Sequence, residues 1–315
     1  MLRVSDLNIK GCKLEPVDSV NTISASTFNR DYIAQNRPLL IKGGVAHWDA
    51  LPLWNNEYLN RNAGHNVVDI ETSRDQFEGR LFDDAEKVWM PFSRFLERLT
   101  LPSGETDYFV GSWLFPTLAA DVPDISAFKA FNMAIKRRMI MSRGGNRIAL
   151  HYDWYQNMLC QVAGYKRLVL IDIVDTPFLY PLSSPVNYSP VNVQDVNWST
   201  YPEFCNATIF QADIEPGDVL YMPMLWWHAV ESIDRNIMIS QSFYDTDRDL
   251  LFILKKMLAL GRLNLAEKQM NDVWAVLESD LNDNEKIRAV RRQANNQSLG
   301  DVKRIFAHRQ LIFKK

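Results

Sequence analysis

The chain has 315 residues, which is enough for one large domain or two small ones. Hydrophobic residues make up 47% of the sequence and charged residues 23%, close to the globular average, and this composition excludes a disordered or fibrous chain. No stretch approaches the roughly 18 consecutive apolar residues of a membrane-spanning helix, so we expect no membrane span.

The N-terminal segment, MLRVSDLNIKGCKLEP, lacks the apolar block of a secretory signal, and we therefore expect a cytoplasmic protein. The three cysteines, Cys12, Cys160 and Cys205, are odd in number and form no CxxC pair. This spacing argues against a disulfide framework and against a cysteine zinc site.

Formal charge is distributed unevenly along the chain. The whole sequence carries −3, whereas residues 285–315 hold nine lysines and arginines against two acidic residues, which gives this tail +7 and leaves −10 elsewhere. The simplest interpretation of the tail is a solvated basic helix, and the alternative is a docking surface for an acidic partner. The chain as a whole has no charge signature of nucleic-acid binding, so we expect no nucleic-acid partner.

The first third of the chain mixes helical and strand signals. Residues 27–34 are predicted to form a short helix, with Ser24 or Ser26 as its N-cap. The remaining elements expected here are strands at 39–42 and 67–70 and a helix at 92–99.

From about residue 106 to 245 the pattern changes to short β-type runs separated by turns. One turn is EPGD at 215–218, a type II signal in which Pro216 fixes φ and Gly217 supplies positive φ. Many short strands with Gly/Pro turns indicate a mainly β fold of the sandwich or barrel type, including the jelly-roll class, with flanking helices. The predicted strands are 108–110, 138–141, 158–162, 167–171, 208–211, 219–222 and 237–243.

After Asp249 the apolar residues recur at helical spacing, in one stripe at 250–258 and another at 270–277. Stripes this apolar must be buried, either against the β domain of the same chain or against a second copy in a dimer. We expect a homodimer through these helices. The predicted regions are an N-terminal α/β segment at 1–105, the β domain at 106–248 and the C-terminal helices at 249–315.

One histidine in the β-rich segment opens an H-x-D triplet, His151-Tyr152-Asp153. Residues i and i+2 of a strand lie on the same face, so His151 and Asp153 can point into one barrel mouth. A bend at Pro223 can bring His228 to the same place as a third ligand. Two histidines and one carboxylate form the facial triad of non-haem Fe(II) oxygenases. On spacing alone, this metal site and an ordinary structural role for the same residues stay equally open.

A second triplet, His47-Trp48-Asp49, lies in a loop beside a predicted helix, with no partner histidine at a comparable β position. Acidic residues are common at protein surfaces, so an H-x-D triplet by itself is weak evidence. We interpret this triplet as a structural turn anchored by Trp48, and we assign no metal-binding role to His65 or His308.

Four longer strings carry a resemblance to a known family. HYDWYQNMLCQVAGYKRLVLIDI at 151–173, LYP at 179–181 and EPGDVLYMPMLWWHAVES at 215–232 closely resemble the JmjC/cupin-like 2-oxoglutarate oxygenases. RPLLIKGGVAHW at 37–48 is similar to the N-terminal strand and turn of that group. Within the family, the likeness is greatest to the asparaginyl hydroxylase type that acts on hypoxia-inducible factor. The resemblance implies a double-stranded β-helix (jelly-roll) core.

The resemblance also implies roles for individual residues. His151, Asp153 and His228 match the family's Fe(II) ligands, and Lys166 matches the lysine that binds the distal carboxylate of 2-oxoglutarate. Since an unpaired buried ammonium is strongly unfavourable, a lysine inside a barrel needs such a partner. Two further matches complete the expected co-substrate pocket: Asn157 as a polar lining residue and Tyr108 as a hydrogen-bond donor to the same carboxylate.

Three departures from the family pattern affect these expectations. Ile148 stands where the family commonly has a hydroxyl residue three positions before the first ligand, and Ser242 stands where the hydroxylase has asparagine. One lost hydrogen bond costs about 0.5–1.5 kcal/mol, so we expect weaker co-substrate affinity without loss of activity. The loop at 182–200 differs most from the asparaginyl hydroxylase. We therefore do not expect this chain to share the substrate of that enzyme.

The function that the resemblance implies is oxidation by Fe(II), 2-oxoglutarate and O2, with release of succinate and CO2. We expect hydroxylation of a residue in a polypeptide substrate. Within the same enzyme class, N-methyl demethylation and small-molecule hydroxylation stay open. Outside it, the alternatives are a metal-binding cupin that does not use 2-oxoglutarate and a non-catalytic interaction protein that uses the C-terminal helices and basic tail.

Overall fold

A computed structural model describes residue 9 and residues 11–71, 87–100, 108–110, 114–123, 125, 134–182, 187–244, 246–263, 265–297, 299–303 and 305–306. The chain divides into two compact units, one of residues 1–132 and 136–242 and the other of residues 133–135 and 243–315. The division at 1–105, 106–248 and 249–315 expected from the sequence stays a prediction.

Fourteen strands are described. In chain order they are β1 (Lys13–Pro16), β2 (Ser19–Val20), β3 (Leu39–Ile41), β4 (Val67–Glu71), β5 (Lys87–Pro91), β6 (Tyr108–Val110), β7 (Ala134–Ser142), β8 (Arg147–Tyr152), β9 (Gln156–Ala163), β10 (Lys166–Ile171), β11 (Thr208–Ile214), β12 (Val219–Met222), β13 (Trp227–Ser232) and β14 (Asn236–Tyr244). The α-helices are α1 (Ala25–Phe28), α2 (Ala50–Leu53), α3 (Asn56–Ala63), α4 (Phe92–Arg98), α5 (Thr246–Ala259), α6 (Glu267–Glu278) and α7 (Asp283–Asn296).

The strands form two mixed sheets. The smaller sheet has five strands in the order β1-β11-β10-β13-β8, and the larger has nine in the order β2-β3-β12-β9-β14-β7-β6-β4-β5. The pairs β1–β11 and β2–β3 are parallel, whereas β8, β10, β11 and β13 pair in antiparallel fashion. These two sheets form a cupin-like core followed by C-terminal helices, so the fold class predicted from the sequence is confirmed.

Apolar side chains from both sheets meet in one core. On β10 the side chains of Leu168 and Leu170 are fully buried, two positions apart on one face, as strand geometry requires. They pack with Ala212 and Ile214 of β11 and with residues of the larger sheet. The remaining members of this cluster are Val17, Leu40, Ile148, Leu159, Leu220, Met222, Trp226, Val230 and Met238.

The turn predicted between β11 and β12 is confirmed. Gly217 has φ +96°, and the Asp218 amide donates to the Glu215 carbonyl at 3.0 Å. The buried Asp218 carboxylate accepts from the Lys42 ammonium at 2.8 Å and from the Gly43 amide at 2.9 Å. This turn is therefore tied to the loop that follows β3.

The other predicted elements are present; β6 and β12 have the predicted ends, and the remaining elements have shifted ends. The first helix begins at Ala25, two residues before the expected start, and continues as a π-helix over Asn29–Ile33. Its N-cap is Ser24, whose hydroxyl accepts from the Thr27 amide at 3.1 Å. Five of the fourteen described strands are not among those predicted from sequence periodicity: β1, β2, β5, β8 and β13.

The first apolar stripe of the C-terminal helices is buried, and the second is buried in part, because Met270 and Trp274 keep intermediate exposure. Leu250 and Leu254 of α5 and Val273 and Leu277 of α6 are fully buried within a single chain. The first stripe therefore does not require a second copy of the chain, and the homodimer stays a prediction. Among the described residues, no helix has the length and apolarity needed to cross a membrane.

Replacing a core leucine tests the two-sheet core. We expect Leu168→Ala to lower the free energy of unfolding by about 2–5 kcal/mol, because the mutation leaves a cavity between the sheets. Leu14→Ala on β1 is the matched control, since Leu14 is 50% exposed and its truncation leaves no cavity. Urea unfolding of both variants measures the difference. Equal losses in the two variants would contradict the packing described above.

Candidate metal centre

A cavity of about 260 Å³ opens between the two sheets. One part of its wall is apolar, with Leu159, Met222 and Val230 among its members, and the other part is polar or ionisable. The remaining lining residues are Arg138, Ile140, Ile148, His151, Asp153, Tyr155, Asn157, Lys166, Asn187, Tyr188, His228, Met238 and Ser240.

Three possible metal ligands meet in this cavity. His151 lies on β8 directly opposite His228 on β13, and their ring centroids are 4.2 Å apart. Asp153 follows the end of β8, and its Oδ2 lies 4.0 Å from His228 Nε2. One ligand atom from each of the three residues lies within 4.8 Å of the others. The structure thus brings together the three residues that the sequence singled out.

Both imidazoles are oriented by backbone carbonyls. His151 Nδ1 lies 2.8 Å from the Ala149 carbonyl oxygen, and His228 Nδ1 lies 2.9 Å from that of Trp226. Because a carbonyl oxygen only accepts, each Nδ1 carries the proton, and each Nε2 keeps the lone pair that a metal needs. Burial, with the neighbouring His151, lowers the pKa of His228 to about 4, so this ring is neutral at pH 7.

The backbone around Asp153 is held by the turn between β12 and β13. The Leu225 amide donates to the Asp153 carbonyl at 2.8 Å, and Leu225 has a left-handed φ of +63°. A non-glycine residue in that region is uncommon and persists only where its surroundings hold it. This turn therefore couples the position of Asp153 to the start of the strand that carries His228.

The segment at 187–189 extends the sheet beside β8. The Tyr152 amide donates to the Asn187 carbonyl at 3.1 Å, and the Ser189 amide donates to the Leu150 carbonyl at 2.9 Å. These bonds place the Tyr188 ring over the His151 ring, with centroids 5.3 Å apart and an interplanar angle of 14°. The loop that differs most from the family pattern therefore forms part of the cavity wall.

Lys166 is a buried cation in the same cavity. Its side chain is 1% exposed, and among the described residues Nζ has no hydrogen-bond partner. Burial lowers its pKa from 10.5 to about 7. A buried ammonium without an acceptor is costly, and native structures rarely leave one unsatisfied unless a ligand supplies the partner. The observed environment therefore fits an anionic group in the cavity.

The remaining predicted pocket residues have different outcomes. Asn157 lines the cavity, where its Oδ1 accepts from the Ser240 hydroxyl at 2.9 Å. Tyr108 belongs to β6 and pairs through its backbone with Ser142, but its side chain lies outside the described part of the chain, so its role stays a prediction. Of the two single-residue departures from the family pattern, Ile148 lines the cavity, whereas Ser242 is buried and does not belong to the described lining.

The sequence motifs assigned no cavity role to two polar residues of the wall, Ser240 and Arg138. Ser240 and Ser242 lie two residues apart on β14. The sequence alone does not show which of the two reaches the cavity, whereas the structure places Ser240 in its wall. Arg138 was assigned only to a strand, although the alternation of that strand could have suggested an inward face.

The loop triplet at His47 is consistent with a structural turn. His47 and Asp49 are exposed, whereas Trp48 is 1% exposed. These residues are not part of the metal-compatible cluster found among the described residues. His308 lies outside the described residues.

The pKa of Lys166 predicts a pH dependence of stability without added ligand. Between pH 7 and 10.5, Lys166 keeps its proton in the unfolded chain and loses it in the folded chain. The contribution of Lys166 to the free energy of unfolding therefore becomes more favourable as the pH rises through this range. Lys166→Met should raise the free energy of unfolding at pH 7 by a few kcal/mol, since one pKa unit corresponds to about 1.36 kcal/mol. This gain should shrink by pH 9, as urea unfolding at several pH values can measure.

The control for this experiment is Lys268→Met, which removes an exposed lysine on α6. Its effect on the free energy of unfolding should be small and independent of pH over the same range. A Lys166→Met difference that stayed constant from pH 7 to 9 would show that the ammonium is not desolvated.

Comparison with known proteins places this cavity in a family. The sequence matches the cupin-like domain over residues 25–249. Lysine-specific demethylase 8 of Xenopus tropicalis is 29% identical over 247 residues, which cover 73% of this chain and 54% of that protein. The chain thus spans about half the length of this relative.

Two further relatives are covered more completely. tRNA wybutosine-synthesizing protein 5 of Gallus gallus is 29% identical over 239 residues, or 69% of this chain and 73% of that protein. Bifunctional peptidase and (3S)-lysyl hydroxylase JMJD7 of Homo sapiens is 25% identical over 264 residues, or 71% and 82%. The family match extends over most of the chain and includes both strands that carry the histidine pair. The chain belongs to the cupin-like domain family.

Proposed function

We propose that this protein is an Fe(II)- and 2-oxoglutarate-dependent oxygenase of the JmjC type that hydroxylates a side chain of a polypeptide. The observation that carries the proposal is the presence, in one cavity, of a His-Asp-His cluster and a buried ammonium that has no partner among the described residues. A metal site alone fits many cupins. The buried Lys166 ammonium is the feature that indicates a co-substrate with a free carboxylate.

The donor set fits iron. His151, Asp153 and His228 would hold Fe(II), since two imidazoles and one carboxylate leave adjacent coordination positions open. Lys166 would bind the far carboxylate of 2-oxoglutarate, an ion pair that restores the charged form of the buried ammonium. When bound, iron with 2-oxoglutarate and O2 supplies the oxidising chemistry that inserts oxygen into a C–H bond and releases succinate and CO2.

The chain itself supplies geometry and a dry wall. Carbonyl acceptors fix both histidine rings, and the Leu225 amide holds the backbone of Asp153. Ile148, Met222 and Met238 line the cavity with apolar surface, which keeps water from the reacting carbon and strengthens the electrostatic contacts inside.

A polypeptide substrate is supported by similarity to relatives named as a lysyl hydroxylase and as a lysine-specific demethylase. The likeness to an asparaginyl hydroxylase expected from the sequence motifs stays part of the proposal. Demethylation is the second candidate, and the 29% identity to lysine-specific demethylase 8 is the observation that favours it. The two differ in product, because hydroxylation leaves an added oxygen and demethylation releases formaldehyde.

The two alternative functions outside the oxygenase class account for fewer features of the cavity. A metal-binding cupin without 2-oxoglutarate has no use for the Lys166 ammonium, which desolvation makes costly. An interaction protein that uses its C-terminal helices has no use for the metal-compatible cluster. A cytoplasmic location and a homodimer remain proposals that rest on the sequence alone.

The proposal predicts 2-oxoglutarate turnover by the purified chain. With Fe(II), ascorbate and air, the wild type should convert 2-oxoglutarate to succinate even without a peptide, and Asp153→Ala should reduce the rate to background. Lys166→Met should raise the 2-oxoglutarate concentration for half-maximal rate by about tenfold or more, since hydrogen bonds to charged groups contribute about 1.5–3 kcal/mol. Succinate quantified by mass spectrometry is the readout.

The exposed-lysine variant Lys268→Met serves again as the matched control and should behave as the wild type. Succinate formation that survived in Asp153→Ala would remove the metal site from the account. Metal binding by the wild type without any succinate would favour the metal-binding cupin.

A further inference from the structure

We propose that the mouth of the cavity selects an acidic segment of a polypeptide, and that Arg138 binds a carboxylate of that segment beside the oxidised carbon. This inference rests on the proposed function and specifies its substrate class. It assigns to Arg138 a role in positioning the substrate, which the His-Asp-His cluster and Lys166 leave open.

Arg138 projects into the cavity from β7, in the larger sheet, whereas Lys166 projects from β10, in the smaller one. The Arg138 Nε is buried and has no hydrogen-bond partner among the described residues, and the side chain makes no ion pair with any of them. A guanidinium stays charged at any physiological pH and presents its donors in a planar fork. A buried donor of that fork is thus left for a ligand.

One protein group does contact the guanidinium. The Arg138 Cζ lies 6.0 Å from the centroid of the Tyr155 ring, and both residues line the cavity together with Asp153. The Tyr155 ring therefore packs against the cation inside the cavity that also contains the His-Asp-His cluster.

The charges in the described lining leave one positive charge for the substrate. Three ionisable residues of this lining carry a charge when the co-substrate is bound: Arg138, Lys166 and Asp153. In the loaded site, the charges of Fe(II) and of doubly charged 2-oxoglutarate would cancel each other, and Asp153 would cancel the charge of one of the two cations. A cationic substrate group, such as a methylated lysine, would meet this remaining charge without a counter-ion, whereas a carboxylate would neutralise it.

A second cation extends this edge along the same strand. Lys136 stands two residues before Arg138, on the same face of β7, and its pKa is lowered by burial and by the nearby Arg138 charge. The two positive groups are thus close enough to repel each other. A second cation thus stands on the same strand as Arg138, outside the described cavity lining.

The occupant is better described as a peptide carboxylate than as a nucleic-acid phosphate. Nucleic-acid binding depends on several cations that follow the phosphate backbone, and affinity comes mainly from those contacts. The described cavity wall offers one guanidinium, and the whole chain carries −3. A planar fork matches a carboxylate in bidentate geometry, which gives a local and directional contact.

Binding of two peptide pools under anaerobic conditions tests this inference. Both pools are short fluorescein-labelled peptides with a randomised centre; members of the acidic pool carry one Asp or Glu beside the centre, and members of the basic pool carry one Lys or Arg there. The full chain is loaded with Fe(II) and 2-oxoglutarate, and fluorescence anisotropy measures binding without turnover. We expect the acidic pool to bind about tenfold more tightly, the effect of one charge-assisted contact.

Variants assign that preference to Arg138. Arg138→Gln should bring the two pools to similar affinity, and Arg138→Glu should reverse the order. Arg138→Lys keeps the charge without the planar fork and should retain part of the preference, which keeps the test informative if another variant folds poorly. Arg61→Gln, which removes an exposed arginine on α3, is the matched control and should keep the wild-type preference.

Several results would overturn the inference: tighter binding of the basic pool by the wild type, an unchanged preference in Arg138→Glu, or tighter binding of a bulk transfer RNA preparation than of the acidic pool. Succinate formation in air by the wild-type preparation without peptide is measured in parallel. If succinate forms, a failed pool preference rejects only the substrate class. If none forms, the proposed function fails and this inference fails with it.

Discussion

The antiparallel pairing of β8 with β13 is the interaction on which the site depends. It sets His151 directly opposite His228 and leaves Asp153 at the end of the same strand. Each ring then donates to a carbonyl two residues earlier in its own strand region, so local backbone fixes the tautomer that a metal requires. A register slip of one residue would turn one histidine to the other face and destroy the cluster.

The second sheet turns this cluster into a cavity. Strands β7, β9, β12 and β14 close over it with apolar side chains, so charges inside are poorly solvated and must be neutralised by one another or by ligands. Lys166 and Arg138 enter from opposite sheets, and each has a buried nitrogen without a hydrogen-bond partner among the described residues. In the proposed function the first meets the co-substrate, and in the further inference the second meets the substrate.

The sequence predicted the β-rich core, its main turn and the three clustered residues because each leaves a local mark. Alternation marks a strand, Pro216-Gly217 marks the turn, and the strings around His151 and His228 resemble a family. The missed features depend on contacts between distant segments. Strands β8 and β13 have no clean alternation, because both faces are buried. Likewise, only the packed structure shows that Ser240, rather than Ser242, reaches Asn157.

The most direct test is the visible absorption of the purified protein with Fe(II), under anaerobic conditions, on addition of 2-oxoglutarate. The absorption band reports chelation of the keto acid to the iron, so one spectrum tests metal ligands and co-substrate together. We predict a band in the wild type and in Arg61→Gln, no band in His228→Ala, and a band that needs more 2-oxoglutarate in Lys166→Met. A wild type that binds Fe(II) but shows no band at any 2-oxoglutarate concentration would contradict the account.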